Sequence, residues 1–269
     1  MIIVGELINA SRKAVKAAIE TRDEVAIRTL ARDQAEAGAN YIDVNAGVFV
    51  QEEVDYLKWV VDQVLAITEL PCCLDSPNPK AIAAALEYHG QKSDRVPMIN
   101  SISLEQNRWD SLLPLVAGSE FKVVALCMSD EGMPETADER LAIAGKLING
   151  LVQNNVRLEN IFVDPLVQSM GTNPLYGKEF LTAVERIMTE FPGVHTMCGL
   201  SNISFGLPER HFLNQSFMTM AIGKGLDGAI INPLDRRMMA NVIAAEALAG
   251  RDDFCMNYLT AYRGGKFEF

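Results

Sequence analysis

Clustered basic charge, paired cysteine motifs and long uncharged runs are all missing from this 269-residue sequence. Lys and Arg number 24 against 35 Asp and Glu, a formal net charge of -11. That balance argues against a nucleic-acid partner, because phosphate backbones are gripped by clustered cations. No window reaches the roughly 18 apolar residues that a membrane span needs, and MIIVGELINASRK carries no basic stretch ahead of a long apolar one. A cytoplasmic protein with no membrane partner is therefore expected. Cys72, Cys73, Cys127, Cys198 and Cys255 make no C-x-x-C pair, and His89, His195 and His211 make no H-x-x-x-H pair. Free thiols in a reducing compartment and no metal site follow as expectations.

What is present is a rhythm of short apolar runs and longer amphipathic stretches. The runs are IIVGELI (2–8), YIDV (41–44), CCLD (72–75), MINSIS (98–103), FKVVALCM (121–128), NIFVDP (160–165), VHTMCGL (194–200) and GAIINP (228–233). Helical patterns such as EVAIRTLARDQAEAG, EVDYLKWVVDQVLAI and PKAIAAALEYH lie between them, several ending at Gly. Eight such units predict a (β/α)8 TIM barrel in which residues 1–269 form a single domain. A doubly wound open sheet shares the alternation, but no G-x-G-x-x-G follows the first run.

Barrels of this kind work at the carboxyl ends of their strands, and these ends are polar. Glu6 and Asn9 follow the first run, Asp43 and Asn45 the second, Asp75 the third, Asn100 the fourth, Ser129 the fifth, Asp164 the sixth, Asn202 the seventh and Asn232 the eighth. Taken singly, each reads as a helix cap or a turn residue. Taken together they ask for a ligand, since Asp43 and Asp75 lie within or at the end of apolar runs, where a buried carboxylate needs donors. Basic residues near these ends are few, so a phosphate-rich ligand fits poorly. Carboxylates that accept from amino and ring N–H groups, beside amides that both donate and accept, match a fused aminopyrimidine such as a pterin.

The segments GELINASR, YIDVNAG, LDSPNP, NSIS, DPLVQSMGT and GLSNISFGLPER resemble the pterin-binding methyltransferases that act with methyltetrahydrofolate and a corrinoid protein, relatives of dihydropteroate synthase and of the folate domain of methionine synthase. The resemblance implies tetrahydrofolate or 5-methyltetrahydrofolate as substrate, cobalamin (a corrinoid) carried on a partner protein, and a homodimer. It makes Asp75, Asn100 and Asp164 pterin anchors and Asn202 the residue that reaches N5, with Gly199 and Ser201 shaping its loop. Asn9, Asp43 and Asn45 match further pocket positions, and Arg210 either contacts ligand or braces the seventh loop. A neutral amide has no proton to give, so Asn202 is cast as a hydrogen-bond stabiliser of N5 protonation. His195 opens the seventh run, at the far end, and reads as structural.

Two alternatives stand beside this reading. A pterin condensation of the synthase type calls for a late S-x-R/K motif, whereas INPLDRR offers Arg236 and Arg237 with no Ser-x-Arg before them. A non-catalytic folate-binding protein would bind the same ligand without methyl transfer. The direction of transfer is open.

Overall fold

The computed structural model describes residues 1–268. Its strands are β1 (Ile2–Asn9), β2 (Tyr41–Asn45), β3 (Cys72–Asp75), β4 (Met98–Leu104), β5 (Lys122–Ser129), β6 (Ile161–Asp164), β7 (His195–Thr196) and β8 (Gly228–Ile231). All pair in parallel, in the order β7-β6-β5-β4-β3-β2-β1-β8. A bridge between Gly199 and Ile230 joins the two outer strands, and the Ile230 N–H donates to the Cys198 carbonyl at 2.9 Å. The sheet thus closes into the expected (β/α)8 barrel.

The helices are α1 (Lys13–Glu20), α2 (Glu24–Glu36), α3 (Glu53–Leu65), α4 (Pro79–Lys92), α5 (Gln106–Val116), α6 (Ala137–Gln153), α7 (Tyr176–Glu190), α8 (Arg210–Gly223), α9 (Arg236–Leu248) and α10 (Met256–Arg263). Several start where local chemistry satisfies the first free amides. Asp23 accepts from Ala26 N at 3.0 Å, Asp235 accepts from Met238 N at 3.0 Å, and Asn78 accepts from Lys80 N with Pro79 in the first turn. At α6, Thr136 and Glu139 form a reciprocal capping box.

Two apolar layers follow from the alternation of strand side chains. Ile42, Val44, Leu74, Ile99 and Ile161 face outward and pack under the helices with Ile27, Leu57, Ile82 and Leu147, and Ile8 joins them because the register of β1 shifts between Gly5 and Ile8. Val4, Tyr41, Cys73, Met98, Val124, Phe162 and Met197 form one cluster inside the barrel, with Ile230 against it. The next inward position on each strand is two residues onward. Those positions are Glu6, Asp43, Asp75, Asn100, Leu126, Asp164, Gly199 and Asn232. An apolar plug therefore supports a nearly all-polar ring at the carboxyl end.

The seventh apolar run differs from its expected form. Regular pairing covers only His195–Thr196, and residues 200–204 wind into a 3₁₀ turn. Met197 N still donates to the Val163 carbonyl at 2.8 Å, so the chain stays extended to Gly199 while making few ladder bonds. Gly228 sits at this seam because a Cβ there would fall 2.9 Å from Met197 Cε and 3.1 Å from the Thr196 carbonyl oxygen.

Candidate functional site

Asp43 and Asp75 occupy neighbouring strands of the ring. Asp43 is buried, and its Oδ1 has no hydrogen-bond partner. Burial pushes its carboxyl well above the ordinary range, and the charge of Asp75 adds to the rise. Asp75 Oδ2 accepts from Asn45 Nδ2 at 2.8 Å. Burial lifts Asp75 as well, with the Asn45 bond and the Arg108 charge opposing it. Side-chain hydrogen bonds with Cys73 and Asn100 oppose the rise at Asp43. A buried acceptor without a partner beside a second carboxyl leaves room for an N–H donor.

Several strand-end residues use one oxygen to turn their own loop. Asn9 Oδ1 accepts from Ser11 N at 2.9 Å, Asn45 Oδ1 from Gly47 N at 2.9 Å, Asp164 Oδ1 from Leu166 N at 2.8 Å, and Asn232 Oδ1 from Leu234 N at 2.9 Å. These are Asx turns, so the turn role and a place in the pocket coexist in one side chain. Asp164, itself buried, also accepts from the Gly199 backbone and so ties the sixth strand end to the seventh. Burial raises its carboxyl to about 7, against the opposing effects of the Leu166 amide, Arg140 and the Gly199 amide. Asn100 stands beside Asp43 at the end of the regular β4 register, where pairing with β5 shifts, and its peptide bond to Ser101 is cis.

Two arginines absent from the expected site hold this rim from outside. Arg108, on α5, donates to the carbonyls of Ser101 at 2.6 Å, Pro77 at 2.9 Å and Ser76 at 2.9 Å, locking the loops after β3 and β4 together. Arg140, on α6, is fully buried and donates to the carbonyls of Pro165 at 2.8 Å and Thr136 at 3.1 Å and to Gln168 Oε1 at 2.8 Å. No local signal distinguishes these two arginines, because their partners are backbone carbonyls on other elements.

The 3₁₀ turn carries Ser201 and Asn202. A Cβ built on Gly199 would lie 3.6 Å from Asn202 Nδ2, so this exposed amide rests over Gly199 at the ring. Arg210 Nη2 donates to the Ser201 carbonyl at 2.6 Å and its Nε to Ser204 Oγ at 3.0 Å. Of the two expected roles for Arg210, this geometry is that of a brace. Glu6, noted at the first strand end and left without a role, lines a small cavity of about 70 Å³ with Ser201, Asn214, Asn232 and Asp235. Arg12 Nη2 donates to Glu6 Oε1 at 2.8 Å, and burial raises this carboxyl against that ion pair. His195 Nδ1 lies 2.6 Å from Asp227 Oδ2 at the opposite end of the barrel, away from the ring. Among the described residues no group of His, Cys, Asp and Glu could hold a metal ion.

Comparison with known proteins bears directly on this pocket. The model of the pterin binding enzyme family matches residues 5–232. A methylcorrinoid:tetrahydrofolate methyltransferase of Eubacterium limosum is 38% identical over 268 residues, 99% of this chain and 97% of that protein. Methionine synthase of Mycobacterium tuberculosis (strain ATCC 25618 / H37Rv) is 31% identical over 86% of this chain, which spans only 20% of that protein's length. Among solved structures, dihydropteroate synthase of Xanthomonas albilineans in complex with indole-2-carboxylic acid and 6-chloroguanine gives a TM-score of 0.68. At 20% identity, covering 93% of this chain and 92% of that one, it is alike in fold.

Proposed function

The chain belongs to the pterin binding enzymes, and from that premise we propose that it moves a methyl group between N5 of tetrahydrofolate and the cobalt of a corrinoid carried by a partner protein. The observation that carries the reading is the barrel-mouth ring itself, with its buried, unpartnered Asp43 oxygen and the exposed amide of Asn202 over Gly199. A reduced pterin fits this donor set. Its aminopyrimidine edge presents the N–H groups that Asp75, Asp164 and Asp43 are arranged to accept, and the Asn100 amide matches a ring carbonyl or N–H.

When bound, the folate supplies a methyl-bearing nitrogen and the corrinoid a cobalt that accepts or returns the methyl group. The chain's own residues hold the pterin, exclude water from its anchored edge and polarise N5. Expelling the pterin requires positive character on N5, since its anion is a poor leaving group. Asn202 donates to N5 as the C–N bond weakens, a bond that strengthens toward the transition state. Gly199 and Ser201 set the turn that carries this amide, while Asn9 and Asn45 shape the neighbouring loops.

We read the molecule as one pterin-binding domain acting as a homodimer in the cytoplasm. Two-fold pairing is the commonest assembly, and five free cysteines suit a reducing compartment. No helix among the described residues is long and apolar enough to cross a membrane. A synthase-type condensation is less well served, because Arg236 Nη2 donates to the Gly265 carbonyl at 3.2 Å. Stopped-flow mixing with 5-methyltetrahydrofolate and a cobalt(I) corrinoid protein tests the proposal. Loss of the cobalt(I) absorbance dependent on this protein is expected. Tight folate binding without that loss would leave a binding protein, and product from p-aminobenzoate and the pterin pyrophosphate would indicate the condensation.

A further inference from the structure

The carboxyl end of the barrel is divided by charge. The loops after β7, β8 and β1 are neighbours, since the strand order closes through the bridge between Gly199 and Ile230. Residues 205–212, 232–237 and 10–16 hold Arg210, Arg236, Arg237, Arg12, Lys13 and Lys16, all exposed, against Glu209 and Asp235. Far apart in sequence, these cations are brought by the fold to one side of the polar ring, outside it. The loop after β5, across the barrel, is the reverse: residues 129–139 hold Asp130, Glu131, Glu135, Asp138 and Glu139 and no base. The cations are placed at a cost. Arg12, Lys13 and Lys16 share one face at spacings of three and four and crowd the start of α1, whose first turn has no acid and whose dipole disfavours positive charge there. Arg12 pairs with Glu6 at 2.8 Å and Lys16 with Glu20 at 3.7 Å, whereas Lys13 has no ion pair among the described residues.

Resting on the methyl-transfer reading above, we propose that this arc receives the γ-linked glutamate tail of the folate, so that the preferred substrate is the poly-γ-glutamyl form. The covalent structure of the ligand points there. C6 of the pterin bears the p-aminobenzoyl-glutamate tail and is bonded directly to N5. A pterin with its aminopyrimidine edge on Asp75 and Asn100 and with N5 at Asn202 therefore turns C6 away from β3 and β4, toward β7, β8 and β1. Glu6 shows that these loops meet at that corner, because it lines one small cavity with Ser201, the residue before Asn202, and also binds Arg12. Each added γ-glutamyl unit brings one more carboxylate on a flexible stem, which is the chemistry that exposed ammonium and guanidinium groups recognise. Lys16 marks the outer end of the arc, its Nζ 5.8 Å from the centre of the Phe49 ring beyond β2. The acidic loop across the mouth repels the same carboxylates, so the tail has one favourable exit.

Calorimetry of the full chain with 5-methyltetrahydrofolate carrying one or three glutamates tests this. At about 50 mM salt the triglutamate is expected to bind about tenfold more tightly, and the margin to shrink to about threefold or less at about 0.5 M, where surface charges are screened. Lys13→Glu combined with Lys16→Glu should remove the margin while the affinity for the monoglutamate changes by no more than about threefold. Lys13→Arg with Lys16→Arg should keep the margin, as should Lys146→Glu, an exposed position on α6. Circular dichroism should stay unchanged in all of these, since the side chains are exposed. Equal affinity for the two tails, or a margin that survives the double glutamate variant, overturns the arc as a tail site while leaving methyl transfer standing. A double variant that keeps the margin and raises only the KM for the corrinoid protein gives the arc to that partner and overturns it as well. No binding of either folate overturns the methyl-transfer reading, and the role of the arc with it.

Discussion

Asn202 does its proposed work without titrating, and this separates it from every carboxyl around it. Replacing it with Ala removes the proposed donor to N5 but leaves the proposed anchors at Asp75 and Asp164 in place. Turnover should fall about tenfold or more with folate affinity changed by no more than about threefold, read by stopped-flow rates and by calorimetry. Equal losses in both would make the amide a binding group. Asp164 behaves in the opposite sense. Burial lifts its folded pKa to about 7, above the ~3.9 of an unfolded carboxyl. The folded chain holds that proton more tightly, so the stabilisation is complete below about pH 4 and is lost as pH rises through about 7. Urea unfolding of the ligand-free protein should show Asp164→Asn gaining on the wild type by about 1–3 kcal/mol between about pH 5 and about pH 8. A gap that does not change with pH would contradict the raised carboxyl.

At the scale of elements, the pocket is shaped by helices that never enter it. Arg140 reaches from α6 to carbonyls of the loop after β6, and Arg108 reaches from α5 to the loops after β3 and β4. Removing Arg140 leaves buried carbonyls without donors, so Arg140→Met should destabilise the fold by about 2–4 kcal/mol in urea unfolding. Arg108 is only part-buried, and its loss should loosen the rim more than the core. For Arg108→Ala the KM for folate should rise several-fold, to the order of tenfold, with kcat nearly unchanged, because Asn202 lies on the far side of the mouth. A fall in kcat alone would place Arg108 in the chemistry.

For the molecule as a whole, the barrel is closed unevenly. β4 and β5 pair along most of their length, whereas β7 contributes two residues and meets β8 through the Gly199 bridge. Local opening follows the weakest hydrogen-bonded seam. Amide exchange followed by mass spectrometry should therefore show residues 194–204 exchanging at least about tenfold faster than 98–104. Saturating folate should narrow that difference, since the proposed N5 contact sits on the same turn. Equal protection of the two segments would mean that the seam is as firm as the rest of the sheet.

The barrel was legible in the chain because its parallel strands, covered on both sides, read as short apolar runs, and four helix starts (α2, α4, α6 and α9) carry their own cap chemistry within three residues. The ring was legible for the same reason: Asp43, Asp75, Asn100 and Asp164 interrupt or end runs that should otherwise stay apolar, and the L-P-E-R piece marked the loop that holds Asn202. Tertiary structure alone decided the rest. That β7 would shrink to two residues, that one Asp43 oxygen would be buried without a partner, that Arg140 would be buried and Arg210 would hold the seventh loop, and that α10 would face outward all depend on contacts between residues far apart in sequence. Local patterning sets which face of an element is apolar, but hydrogen-bond partners and burial are settled only when other elements arrive to supply or withhold them.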